Sequence, residues 1–507
     1  MVAMASTALL DTLTENQLRT LAAQLMAEVT LKQTTIEKLT HENALLKRLK
    51  FGARAESYSA EQRQLFEETL DADLAALEQE IATLTPPSST ESLRDKATPK
   101  RAPLPAHLPR REIRHEPEST QCRCGCQLKR IGEDVSEKLD YTPGVFTVER
   151  HVRGKWVCAS CETLTQAPVP AQVINKGLPT AGLLAQVLVA KFADHLPLYR
   201  QEKIFERAGF GIARATLAQW VGICGVQLMP LVAALKADLF TQPVLHADET
   251  PVAMLKPGSG KTHRAYLWGY TSTAFASLPA VIYDFTESRA GVHARDFLGD
   301  WRGTLVTDDY SGYKALYAEG VTEAGCMAHA RRKFHELFAT GKSLIAEEAL
   351  RHFGALYAVE TELAALDTQQ RLRARQQRAQ PAADALHRWL TVHRPKVSDG
   401  SATAKAIDYS LKRWAALTRY LADGALPIDN NRVENAIRPI ALGRKNWLFA
   451  GSLRAGQRAA AVMSLVQSAR LNGHDPYAYL KDVLMRLPTQ PASRIGELLP
   501  HRWQPEG

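Results

Sequence analysis

The chain has 507 residues, 45% hydrophobic and 23% charged, with a net charge of +9. That length is too great for one hydrophobic core, so roughly two to four globular domains are expected. No uninterrupted apolar run is long enough to span a bilayer, and residues 1–10 lack the basic start and apolar core of a signal peptide. These absences predict a cytoplasmic protein with no membrane partner, and the positive excess favours an anionic partner, nucleic acid first.

Residues 14–84 form a predicted coiled-coil region. Heptads place Ala22, Val29, Ile36 and Asn43 at a, and Leu18, Leu25, Leu39 and Leu46 at d, with Lys32 the one misfit d. β-Branched residues at a with leucine at d favour a parallel dimer, and a single Asn at a helps to fix register. "FGARAES" (51–57) breaks the pattern, and a second helix is predicted over 62–84. Residues 85–110 are rich in Pro, Ser and basic residues, the composition of a flexible basic linker.

Residues 111–168 hold five of the seven cysteines: Cys122, Cys124 and Cys126 in "CRCGC", then Cys158 and Cys161 in "CASC". In a reducing compartment such a cluster reads as metal before disulfide. Two cysteine pairs at the ends of a strand hairpin suit a tetrahedral zinc site. The second pair has C-x-x-C spacing; which two of the first three bind is left open. Cys224 and Cys326 stand alone in apolar settings and are expected in the core.

Residues 175–240 are predicted helical, and 201–221 are compatible with a helix-turn-helix contact to DNA. From 241 to 340 the order is β-β-β-α-β-α-β-α, that of a ribonuclease H-like α/β core. Residues 341–426 turn helical and Arg/Gln-rich, as an insertion would, before a closing helix and basic region over 427–487.

Three acids occupy telling places in that order. Asp248 in "HADET" interrupts an apolar strand, Asp308 in "LVTDD" ends one, and Glu434 lies on the helix after the insertion. In a ribonuclease H-like sheet the first and fourth strands are neighbours, so acids on both can share an ion with a third on a packed helix. Three carboxylates holding Mg²⁺ or Mn²⁺ are machinery for phosphodiester displacement. Glu249 and Asp309 are alternatives to their neighbours. Between Asn435 and His474 there are six Arg or Lys and no Asp or Glu. Asn430, Asn431, Arg438, Arg444, Lys445 and Trp447 are therefore candidate contacts to double-stranded DNA, with Asn430, Glu434 and Arg438 on one helical face.

"HADETPV", "VTDDYSGY", "GCMAHARRKF" and "DNNRVENAIRPIALGRKNWLFAGS" together resemble the transposases of the insertion-sequence-sixty-six family. The N-terminal zipper, the cysteine segment with "IGEDVSEKLDY" and "HLPLYRQEKIFERAG" extend the resemblance over nearly the whole chain. It implies a DDE transposase with Asp248, Asp308 and Glu434 as its triad, cleaving element ends and joining the freed 3′-hydroxyl to target DNA. It also implies DNA or active-site contacts from His329 and Arg331, and possible accessory proteins. Two features depart from the family: Asp309 stands where Gly is usual, and "CRCGC" replaces a C-x-x-C pair. Competing readings are an inactive DNA-binding regulator, which predicts a broken triad, and a structure-specific nuclease, which has no need of the N-terminal half.

Overall fold

The computed structural model describes residues 14–51, 60–84, 104–117, 119–121, 126–142, 144–175, 177–255, 261–341 and 343–505. Cys122, Cys124, the "FGARAES" stretch beyond Phe51 and most of the 85–110 linker lie outside the described residues. The chain divides into two units: one of 1–191, 196–227 and 256–261, the other of 192–195, 228–255 and 262–507.

In the first unit, α1 (Glu15–Phe51) and α2 (Ala60–Leu84) pack together. The contact uses Thr34, which is buried, and Lys38, whose Nζ lies 3.0 Å from Glu78 Oε1. The heptad stripe faces elsewhere: Leu18, Leu25, Val29, Ile36 and Leu39 are 39%, 46%, 65%, 57% and 51% exposed. The intramolecular partner therefore leaves the a/d seam open. The side chains of Asn43 and Leu46 are outside the described residues.

The cysteine module is a long antiparallel hairpin of β2 (Leu128–Thr142) and β3 (Val145–Cys158), with β1 (Arg110–His115) parallel to β3 on its other edge and short β4 (Leu164–Gln166) also on β3. Its register sets Leu128 opposite Cys158. That brings the segment of Cys126 to the same end of the hairpin as Cys158 and Cys161. At the other end the rings of Tyr141, Phe146 and Phe205 cluster in tilted and edge-on contacts, with centroids 4.7–5.4 Å apart. Phe205 belongs to α4 (Leu198–Arg207), which follows α3 (Ala181–Phe192) and precedes α5 (Arg214–Leu239). The helix–turn–helix expected near 201–221 is thus a pair of helices. Gly222 on α5 is needed for a close approach, since a Cβ there would lie 2.2 Å from Ala72 O. By length and composition α5 could cross a membrane. Leu217, Trp220, Leu228, Leu231, Leu235 and Leu239 are all buried, which accounts for its apolar character as that of a core helix.

The second unit is built on a five-stranded mixed sheet in the order β7-β6-β5-β8-β9. β5 (Val244–Leu255), β6 (Thr262–Ser272) and β7 (Val281–Thr286) form an antiparallel meander. After α6 (Gly291–Leu298), β8 (Thr304–Thr307) joins β5 in parallel, and after α7 (Lys314–Ala318), β9 (Thr322–Gly325) joins β8 in parallel. Helices α8 (Met327–Gly341), α9 (Leu344–Leu363), α10 (Thr368–Ala374), α11 (Gln380–His393), α12 (Ala402–Lys412) and α13 (Trp414–Thr418) follow, then α14 (Asn431–Trp447), α15 (Leu453–Leu471) and α16 (Pro476–Arg486).

α14 lies on the sheet through Val433, Ala436, Ile437 and Ile440, against Val252, Met254, Ala265 and Leu267. A Cβ at Gly269 would come within 3.1 Å of Ile437, so glycine there lets the helix settle closely. The edge strand β7 is covered by α15: Ser468 and Ser464 Oγ accept from the amides of Val281 (3.0 Å) and Tyr283 (2.8 Å). This removes the exposed edge that would otherwise template another chain.

The helices from α9 to α13 share a core with Val244, Val306 and Ala324 of the sheet. Their basic appearance in sequence hides a buried polar centre. Arg375 is fully buried and pairs with Glu360 through Nε (2.8 Å) and Nη2 (2.6 Å). Its Nη1 donates to the carbonyls of Tyr420, Asp423 and Leu426 at 3.0, 2.7 and 2.8 Å. A buried guanidinium is tolerated only when paired and hydrogen-bonded in this way.

Candidate active site

β5 carries His246, Asp248 and Thr250 on one face and Ala247 and Glu249 on the other, because strand side chains alternate. The parallel ladder pairs Val244 with Thr304, Leu245 with Leu305 and His246 with Val306. Continued two residues past its end, the same register would set Asp248 level with Asp308, and Asp248 lies on the face that α14 covers. β8 ends there, while the far part of β5 is joined on that side by Ala450, whose N–H donates to Ala253 O at 2.8 Å. Asp248 sits between these two junctions, past the last ladder pair with β8 and before the bridge to Ala450.

Burial pushes the Asp248 carboxyl up to about 8. Glu249 adds to this, its backbone N–H opposes it, and Asp308 and Glu434 push further in the same direction. Asp308, just past the end of β8, and Glu434 of α14 thus both act on the Asp248 carboxyl of β5. Such a set is unfavourable without compensating positive charge, so the donor chemistry fits a hard divalent cation.

The two alternative acids are occupied elsewhere. Glu249 is buried on the opposite face, where its carboxylate accepts from Arg289 Nε (2.7 Å) and Tyr313 OH (2.9 Å). Asp309 pairs with Arg413, whose Nη2 also lies 2.9 Å from Glu323 Oε1 and 3.4 Å from Asp308 O. Arg413 follows α12, so the helical insertion braces the turn that presents Asp308. Asp308 Oδ1 accepts the Tyr310 N–H at 2.9 Å, which orients its carboxylate.

Asn430, expected among the DNA contacts, is instead wholly buried. Its Nδ2 donates to Ala247 O (2.9 Å), which turns Oδ1 toward His246 Nδ1 (2.8 Å). Burial holds the His246 ring down to about 4, so it is neutral and donates from Nδ1. This strut joins the two residues preceding Asp248 to the head of α14, one turn before Glu434.

Glu434 lies in the first turn of α14 beside the start of α8. Arg332 Nη2 donates to Oε2 at 3.3 Å, and His329 Nδ1 is 3.7 Å from Oε1. His329 thus lies beside Glu434. Arg331 is exposed, and the guanidinium that reaches Glu434 is that of Arg332. Residues three apart share a helix face, and residues two apart do not. Arg444 is also redirected: its Nη1 donates to Pro251 O (2.6 Å) and Thr250 Oγ1 (3.2 Å), clamping α14 to β5. Trp447 packs against the sheet core. Asn431, Arg438 and Lys445 remain exposed, Asn431 donating to Asp429 Oδ2 at 2.8 Å.

The middle and end of the chain match known sequences as one series. Residues 176–458 match "Transposase IS66 family", and 464–501 match "IS66 C-terminal element". The chain belongs to the IS66 family of transposases. Residues 119–162 match "zinc-finger binding domain of transposase IS66", and 38–113 match "Transposase C of IS166 homeodomain". Relatives in Sinorhizobium fredii (strain NBRC 101917 / NGR234) run along most of its length. "Uncharacterized protein y4hP" is 36% identical over 85% of this chain and 82% of its own. "Uncharacterized protein y4jD" is 36% identical over 95% and 97%. "Uncharacterized protein y4qI" is 36% identical over 97% and 94%. An IS66 transposase is a DNA-processing enzyme, which fits a basic chain with a carboxylate cluster.

Of the zinc candidates, Cys158 is buried at the end of β3, Cys126 Sγ lies 3.1 Å from Ser160 Oγ, and Cys161 Sγ lies 3.2 Å from Thr163 Oγ1. Cys224 and Cys326 are buried, as expected. Cys326 was placed in the core by its apolar setting, yet its Sγ lies beside His329 and Glu434. The signal that could have found it is the C-x-x-H spacing of Cys326 and His329 at a helix start.

Proposed function

We propose that this IS66 transposase is a DDE enzyme of the ribonuclease H-like type, cleaving element ends and joining the 3′-hydroxyl to target DNA. The observation that supports the reading is that Asp308 and Glu434, distant in sequence, both act on the buried Asp248 carboxyl. The strand order supports it, with Asp248 on the first strand and Asp308 ending the fourth. The three carboxylates would hold Mg²⁺ or Mn²⁺, and the chemistry such an ion would supply there is activation of a hydroxyl and stabilisation of a leaving oxygen in phosphodiester displacement. The chain itself orients these groups. The Asn430–His246 strut sets β5 against α14, Arg413 braces Asp308, and Arg332 steadies Glu434. Arg438 and Lys445, exposed along α14 beyond Glu434, would hold DNA phosphates in this reading.

The N-terminal half serves recognition and assembly in this proposal. Cys158, Cys161 and two of Cys122, Cys124 and Cys126 bind zinc. The open a/d stripe of α1 pairs with a second copy. The test is metal-dependent cleavage of a plasmid carrying the gene with its native flanks, comparing wild type with Glu434→Gln. Cleavage at two defined ends by the wild type alone is expected. Cleavage retained by Glu434→Gln would remove Glu434 from the triad, and tight flank binding without cleavage by either protein would favour a regulator.

A further inference from the structure

Glu434, whose charge acts on Asp248, also faces a set of donors at the start of α8. Cys326 immediately precedes α8, and His329 is three residues on, so both side chains leave one face of the first turn. Cys326 Sγ, a nitrogen of His329 and a carboxylate oxygen of Glu434 all lie within 4.8 Å of one another. His329 Nδ1 and Glu434 Oε1 are both shielded from solvent, and neither has a hydrogen-bond partner among the described residues. They face each other at 3.7 Å, too far for a hydrogen bond. Around tetrahedral zinc, bond lengths put neighbouring S, N and O ligands about 3.2–3.8 Å apart. One edge of the triangle already has that length, and the others reach it by small side-chain movements.

Burial pushes the Cys326 thiol up to about 12, and Asp429 and Glu434 push it the same way, so it keeps its proton until a cation binds. Cys326 Sγ accepts the backbone N–H of Asn430 at 3.2 Å, a bond that strengthens when sulfur is charged. Arg332 holds Glu434 Oε2 and leaves Oε1 toward the histidine. Its second nitrogen, 3.5 Å from His329 Nε2, is at the limit of hydrogen bonding, and the side chain is half exposed and able to turn away.

We propose that Cys326, His329 and Glu434 form a thiophilic-metal site for Zn²⁺, separate from the cysteine module, that competes with Asp248 and Asp308 for Glu434. On binding, the Cys326 thiol loses its proton to solvent, and water completes three protein ligands. Hard Mg²⁺ prefers the all-oxygen set, whereas zinc prefers sulfur and imidazole. Zinc bound here holds Glu434 away from the catalytic ion, so it brakes strand cleavage. This second part rests on the reading of Glu434 as a catalytic carboxylate.

The test uses the full-length chain, stripped of metal and titrated with Co²⁺, whose thiolate charge-transfer absorption reports sulfur ligation. With the module disabled by Ser at all five of Cys122, Cys124, Cys126, Cys158 and Cys161, a band of single-thiolate intensity is expected to remain, and adding Cys326→Ser is expected to abolish it. Absence of the band, or its survival after Cys326→Ser, overturns the site. In the otherwise intact chain, Cys326→Ser is expected to lower tightly bound zinc by about one equivalent per chain; unchanged zinc also overturns it. For the brake, zinc inhibition of Mg²⁺-dependent cleavage is expected to require at least about tenfold more zinc in Cys326→Ser, equivalent to about 1.4 kcal/mol. Equal inhibition overturns the coupling. Failure of the wild type to cleave under any metal refutes the transposase mechanism, while the cobalt result still decides the site.

Discussion

Replacing Asp248 with Asn is expected to stabilise the metal-free protein at neutral to mildly alkaline pH. The Asp248 carboxyl is raised from 3.8 to about 8. The folded chain therefore keeps a proton that the unfolded chain releases. Stability from this group is fully present below about pH 4 and is lost as pH rises through about 8. At 1.36 kcal/mol per pH unit the loss is at most about 6 kcal/mol, and solvent relaxation around a partly buried group reduces it to about 2–3 kcal/mol. Asn fills the same volume without a charge, so the variant recovers that loss. The readout is hydrogen–deuterium exchange of peptides across β5, compared with wild type at the same pH in the presence of a chelator. Exchange through opening of the sheet is expected to slow about thirtyfold at pH 8 and hardly at all at pH 4. Mg²⁺ is expected to protect β5 in the wild type and not in the variant. Unchanged or faster exchange in Asp248→Asn at pH 8 would refute the argument, because it would mean that the folded protein accommodates the ionised carboxylate without a cation.

Asn430→Ala removes both bonds of the strut and leaves Ala247 O and His246 Nδ1 buried without partners. A loss of about 2–4 kcal/mol is expected in urea unfolding of the sheet-containing unit, and a loss under about 1 kcal/mol would show that the strut carries little. Ile36→Lys with Leu25→Lys places charge on the open stripe of α1. Sedimentation is expected to show a dimer in the wild type and a monomer in the double variant, and a monomeric wild type would count against the zipper. Zinc removal is expected to abolish exchange protection across β2 and β3 near Leu128 and Cys158 before any other segment. Unchanged protection there would remove zinc from the module.

Much of the site's location was legible because acids in an apolar strand are conspicuous. Asp248 interrupts "PVLHADET", and Asp308 ends "GTLV". Pattern alone could not separate each acid from its neighbour. That choice depends on which strand face meets α14 and on cations from distant segments. Arg289 and Tyr313 claim Glu249, and Arg413 claims Asp309. The basic stretch after Glu434 invited an undivided reading as a DNA surface. In the fold Arg444 and Trp447 turn inward while Arg438 and Lys445 stay exposed, a difference set by helix rotation against the sheet. The Arg-rich run near 371–378 likewise looked like surface, yet Arg375 is a buried hub. Its partners come from segments 15 and about 45–51 residues away, too remote for any local pattern to reveal.

Local chemistry settled the heptad seam, the paired cysteine clusters, the succession of strands and helices, and the short list of acids. These properties repeat within a few residues, at the periods of strand and helix. The tertiary structure alone decided that Asn430 is a strut rather than a DNA contact, that Arg332 rather than Arg331 reaches Glu434, and that the buried Cys326 lies beside a catalytic candidate. Each depends on segments about 100 residues or more apart in the chain meeting on one face of a sheet, and the free energy of such a meeting resides in the packed whole.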